Sequence, residues 1–182
     1  MKQEKINRNY EIARERFAEL GIDTEAAIST LQKLSLSLHC WQTDDVSGFE
    51  NPDGSLSGGI QATGNYPGKA RNIDEVRADI EKVNTLIPGN HRLSLHAIYG
   101  DFKGKKVDRN EIEPEHFQSW IDWAKLNNMK LDFNSTSFSH SKSGNLSLSN
   151  RDKGIRDFWI EHTIRSRRIA DEMGRQQCVG FV

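Results

Sequence analysis

Three short stretches of this chain alternate with the two-residue period of a β-strand, and a helix-length segment separates each from the next. SLSLHC, Ser35 to Cys40, sets Leu36 and Leu38 against Ser35 and Ser37. RLSLHAI, Arg92 to Ile98, alternates again, and KLDFN, Lys130 to Asn134, is a shorter run. The terminal CVGFV reads as the first half of a further strand. A tight hairpin cannot join strands this far apart, whereas a crossover helix can, so the pattern predicts parallel strands. Two architectures satisfy it, an open doubly wound sheet and a (β/α)8 barrel.

The intervening segments carry helical periodicity. Ile6, Tyr10, Ala13, Phe17 and Leu20 form one stripe over Lys5 to Leu20, stopped by Gly21. A second helix is predicted from Thr24 to Lys33. Asn72 caps a third, Ile73 to Ile87, with Ile73, Val76, Ile80, Val83 and Ile87 as its stripe. Pro114 opens the next, with Phe117, Trp120, Ile121 and Ala124 on its apolar face. A long charged helix runs from Ser149 or Asn150 to about Arg175, burying Ile155, Phe158, Trp159, Ile164 and Ile169. Between Val46 and Arg71 glycine and proline are too dense for a regular element. A loop of that length is either functional or a mobile surface excursion.

Composition narrows the function. Charged residues make up 28% of the 182 and balance to −1, which lacks the basic excess of a nucleic-acid footprint. The start is polar, without the apolar centre of a signal peptide, and no run reaches the length of a membrane span. The two cysteines then read as free and reduced, in a cytoplasmic protein. No GxGxxG or GxxxxGK[ST] follows any strand, which disfavours nucleotide binding. In a barrel, functional side chains sit just past the strand ends on one face. Here those ends carry His39 and Trp41, His96, and Phe138. Aromatic planes suit the C–H faces of a sugar, and histidine suits proton transfer near neutral pH.

Each of these residues has a plainer reading. A strand histidine such as His96 is most often a hydrogen-bonded core residue, and Trp41 could cap a barrel end. Trp120, Trp123 and Trp159, on helices, read as packing. Asp44 and Asp45 read as caps and solvated charge rather than metal ligands, and His39 likewise has no metal role.

The stretch LHCWQTDDVSGFENPDGSLSGGIQATGNYPGKARN, with RLSLHAIY, LDFNSTSFSHS and IRDFWIEH, resembles the N-terminal region of the L-rhamnose isomerase family. The resemblance runs from about Tyr10 to Arg175. It implies a (β/α)8 barrel, assembled as a homotetramer and related to xylose isomerases. It implies conversion of L-rhamnose to L-rhamnulose by a hydride shift, with divalent metal, usually Mn²⁺. By this resemblance His96 is the catalytic histidine that meets the sugar ring oxygen and assists ring opening. Trp41 and Phe138 are substrate-binding walls. Phe49 resembles, by loop position, an aromatic that reaches a neighbouring subunit's substrate site.

Family members are more than twice this long, and their metal ligands and catalytic lysine lie in the second half of the barrel. They continue past the long helix into a strand of the kind VMNIWIPDG, where this chain reads GRQQCVGFV. The expectation is therefore one incomplete domain over residues 1–182, a truncated N-terminal portion of a (β/α)8 TIM barrel, with no metal site of its own. It would be inactive alone. The alternative is a half-barrel acting as an interaction or assembly module. Another metal-dependent barrel enzyme, an epimerase or end-processing nuclease, fits the GGIQATGNYPGKAR stretch poorly.

Overall fold

The computed structural model describes residues 2–44, 46–50, 67–143 and 146–177. Two helices come first, α1 (Gln3–Glu19) and α2 (Thr24–Leu31), followed by β1 (Ser35–His39). Helix α3 (Ile73–Leu86) leads to β2 (Asn90–His96), and α4 (Gln118–Leu126) leads to β3 (Lys130–Asn134). Helix α5 (Lys153–Gln177) follows. The strands form one parallel sheet in the order β1-β2-β3. The parallel, crossover-connected architecture is as expected from the spacing. The further strand expected at CVGFV lies outside the described residues.

Register divides the sheet into two unlike faces. Leu93 pairs with Leu38 and Leu131, and Leu95 with Phe133. Leu93, Leu95, Leu131 and Phe133 are buried beside Val76 and Ile80 of α3, Trp120 and Ile121 of α4, and Ile169 and Met173 of α5. The helices thus cover this face. The alternate positions, Ser37, His39, Arg92, Ser94, His96, Asp132 and Asn134, occupy the opposite face, because successive strand side chains point to opposite sides. There Arg92 and Ser37 both donate to the Asp132 carboxylate, so three strands are tied by one anion. Arg92 beside it holds the Asp132 carboxyl below its usual range against the upward push of burial.

Several boundaries differ from expectation for local reasons. Strand β2 stops at His96, not Ile98, because Ala97–Tyr99 tighten into a 3₁₀ turn whose side chains are all buried. Pro114 opens a 3₁₀ turn, Pro114–Phe117, and the α-helix begins only at Gln118. Helix α5 begins at Lys153 because the Asp152 carboxylate accepts the Ile155 amide, the bond of a helix N-cap. Ile164, expected on the buried side of α5, is 41% exposed; His162 and Ser166 occupy that face instead.

The least buried part of the fold is its start. Helices α1 and α2 form as expected, but neither buries a residue. Tyr10 donates to Glu25, and the Ile22 amide closes on Phe17, so the pair is a local hairpin. Its stripe stays open, with Phe17 45% and Leu20 75% exposed. Periodicity predicts a helix but not the presence of a surface for it to pack on.

Candidate active site

His96 is the last residue of β2 and is fully buried. Its Nδ1 lies 3.1 Å from the Thr136 hydroxyl and its Nε2 3.4 Å from Nδ1 of His39. Trp41 has its ring centroid 4.7 Å from that of His96 and 4.7 Å from that of His39. Phe138 stands 6.4 Å from both Trp41 and His96. Four rings therefore come together: His39 ends β1, Trp41 sits in the 3₁₀ turn Cys40–Thr43, His96 ends β2, and Phe138 lies in the segment after β3. The sequence candidates His96, Trp41 and Phe138 form one cluster, and His39 joins it.

The electrostatics keep His96 uncharged. Burial, then the neighbouring His39 and Arg109, lower its pKa from 6.5 to about 4. Thr136 Oγ1 accepts the Ala97 amide, and its single proton faces two acceptors, Asn134 O and His96 Nδ1. A neutral imidazole can fill either role by choice of tautomer.

Phe49 does not join the cluster. Its amide donates to Ile98 O at 2.7 Å, and its ring meets Tyr99 edge-on at 5.5 Å. The backbone needs glycine just before it: Gly48 has φ 66°, and an added Cβ would sit 2.6 Å from Ile98 Cγ1. Asp44, expected as a solvated cap, is instead 1% exposed. It does cap, accepting the Gly48 amide at 2.8 Å, and it also accepts the Tyr99 hydroxyl at 2.5 Å. Asp45 lies outside the described residues, as does 51–66, the middle of the long loop. The described ends of that loop are packed rather than excursive: Val46, Glu50 and Ala70 are buried, and the Ala70 amide donates to Thr43 O.

Sequence reasoning missed the group that braces this cluster. Arg109, in the 3₁₀ turn Arg109–Glu111, has no exposed surface. Its Nε and Nη2 donate to the Glu50 carboxylate, Nη2 also to Ser139 O, and Nη1 to Thr136 O and Phe138 O. His162, equally buried, sets Nδ1 2.8 Å from Arg109 O and Nε2 2.5 Å from Ser135 O. Burial pulls the His162 pKa down while those two carbonyls pull it up, and burial dominates. A lone arginine in a DRNE turn reads as surface charge, and Glu50 is far from it in sequence. No spacing rule joins them.

Trp120, Trp123 and Trp159 are buried, each with its indole N–H bonded, to Tyr99 O, Glu81 and Lys142 O. They are packing residues, as expected. Cys40 is a free, fully buried thiol whose pKa burial pushes far up, so it is no nucleophile at neutral pH. Cys178 lies outside the described residues. Among the described residues no three His, Cys, Asp or Glu side chains group as metal ligands, and no helix is long and apolar enough to cross a membrane. With Nδ1 against Thr136 and Nε2 against His39, His96 does not fit a ligand role either.

The family model for L-rhamnose isomerase (RhaA) matches residues 4–181. An L-rhamnose isomerase of Bacteroides thetaiotaomicron is 69% identical over 176 residues, covering 97% of this chain and 42% of the relative. One of Mannheimia succiniciproducens is 55% identical over 171 residues, covering 94% and 41%. One of Rhodopirellula baltica is 52% identical over 173 residues, covering 94% and 40%. The chain thus spans about two fifths of the length of the curated relatives it matches.

Proposed function

Because this chain belongs to the L-rhamnose isomerase family, we propose that it supplies the N-terminal strands and the sugar-facing aromatic wall of a cytoplasmic aldose–ketose isomerase acting on L-rhamnose. The observation that carries the reading is the convergence of His96, Trp41 and Phe138 at the carboxyl ends of parallel strands. Trp41 and Phe138 offer apolar ring surface to one side of a pyranose. His96, neutral near pH 7, exchanges a hydrogen bond with the ring oxygen and so assists opening to the free aldehyde. Its buried position requires Trp41 or Phe138 to shift before a sugar reaches the imidazole.

The polar face of β1-β2-β3 becomes the interior of a (β/α)8 barrel in this reading, and the helix-covered face its outer layer. A divalent metal such as Mn²⁺, when bound in such an enzyme, would supply Lewis-acid chemistry at the sugar oxygens. The described residues assemble no ligand set for it, so the ion is assigned to the part of the family's length that this chain does not span. The chain alone is accordingly inactive, and the homotetramer, with Phe49 reaching a neighbouring subunit, belongs to the longer protein.

A chimera tests this. Residues 1–177 of this chain, joined to the rest of the Bacteroides thetaiotaomicron relative, should isomerise L-rhamnose with Mn²⁺, and His96→Asn should lower kcat. A folded but inactive chimera would overturn the functional reading. Turnover by the isolated chain with Mn²⁺ would overturn its inactivity.

A second reading, an assembly module, is favoured by one observation. Strands β1 and β3 each pair on one side only among the described residues, and the apolar stripe of α1 and α2 is open.

A further inference from the structure

We infer that Arg109 is the positioning residue of this site: its buried guanidinium holds residues 135–139 so that the Thr136 hydroxyl and the Phe138 ring stand against His96. The inference rests on the placement of the site at His96.

An arginine has five N–H donors in a rigid planar fork. All are spent here, on one carboxylate and three backbone carbonyls. The carbonyls belong to Thr136, Phe138 and Ser139, so the guanidinium grips one short segment at three points. That segment is strained. Thr136 has φ 56° and Ser139 φ 52°, left-handed backbone that is unfavourable for a non-glycine residue. Such conformations persist only where the surroundings over-determine them. Arg109 accepts none of the strain itself but bonds the carbonyls of both strained residues.

The two residues that face His96 are the ones so held. Thr136 sets its hydroxyl on Nδ1 and on the Ala97 amide, and Phe138 presents its edge at 6.4 Å. Glu50 orients the fork from the segment after β1, and His162 of α5 lies between the Arg109 and Ser135 carbonyls, able as a neutral ring to donate to one of them. Lysine cannot replace this arrangement, because its three donors radiate from one point. Arg109 touches neither a substrate nor the reacting atoms. It acts through Thr136 and Phe138.

The test is ¹⁵N NMR of the histidine rings of the full 182-residue chain at neutral pH. Wild-type His96 should show one tautomer, as two well-separated ring nitrogen resonances. Arg109→Lys keeps the charge but loses the fork, and should draw the two resonances toward an averaged position. Thr136→Val should produce the same displacement. A folded Arg109→Lys chain with His96 resonances at the wild-type positions would overturn the inference. Where that variant does not fold, the wild-type chain decides by its own signals. Separate, slowly exchanging Arg109 Nη protons with Overhauser contacts to residues 136, 138 and 139 are expected, and one rapidly rotating, averaged signal overturns it. Titration with L-rhamnose is a separate arm. If the Arg109 signatures hold and sugar leaves Trp41 and His96 of the isolated chain unmoved while the folded chimera fails to isomerise L-rhamnose, the sugar reading fails and the positioning role stands.

Discussion

A histidine at a strand end and an arginine in a turn show which residue roles a sequence exposes. His96 is visible because it breaks an alternation of leucine and serine where barrels keep their chemistry. Arg109 is invisible because burial of a charge depends on partners from two separate segments, Glu50 and residues 136–139. The environment of His96 has a consequence for pH. Its folded pKa, about 4, lies below the unfolded value of about 6.5. The unfolded chain therefore takes up this proton first, and stability falls as pH drops from about 6.5 to about 4. His140 and His162, both also lowered chiefly by burial, add loss in the same direction. Denaturant unfolding at pH 7 and pH 5 should show His96→Gln losing less stability on acidification than the wild type. Equal losses would mean that His96 is solvated. A packing residue gives the contrast: Trp159→Ala empties a fully buried site and should cost about 3–5 kcal/mol at either pH.

Among the elements, type and order were readable while ends and partners were not. Strand β3 has the limits its alternation suggests. Helix α5 starts late because the cap is Asp152, a residue hidden among other polar ones in SNRD. Removing that cap, Asp152→Ala, should destabilise by about 1 kcal/mol and fray the first turn of α5, as measured by amide exchange of residues 153–156. The α1–α2 hairpin shows the next level, since a stripe does not say what covers it and this one buries nothing. Local opening free energy follows buried apolar contact. Amides of α1 should therefore exchange fastest among the helices and those of α3 and α4 far more slowly. Phe17→Ser should change global stability by less than about 0.5 kcal/mol, the scale of ordinary surface substitutions. Val76→Ala, at a fully buried position of α3, should cost more than Phe17→Ser despite deleting fewer atoms. The reverse order would show that α1 is packed in solution.

For the molecule as a whole, the sequence conveyed an α/β fold with parallel strands and a family, because crossover spacing and long motifs survive in any local reading. It conveyed less about which surfaces are covered. Helices cover one face of the sheet at β2 and β3 but leave Leu36 of β1 open, and the other face carries Arg92, Ser37 and His39 around the buried Asp132. Leu34 and Leu36 are 54% and 56% exposed at β1, alongside Leu20 and Leu31 at 75% and 64%. Exposed apolar side chains and parallel edges paired on one side only favour association with another chain. The isolated chain should therefore self-associate, and sedimentation velocity should show a weight-average mass that rises with concentration. Leu36→Lys puts a charge on the outer strand and should shift that rise to higher concentration, since lysine on an edge discourages strand addition. Leu20→Glu, on the hairpin, should do the same only if the helical stripe shares the contact. A single species of monomer mass across the accessible concentrations would sink the assembly reading while leaving the sugar-site reading to the chimera. Association abolished by Leu36→Lys alone would instead locate the interface on the β1 edge, the position a neighbouring strand occupies in a closed barrel.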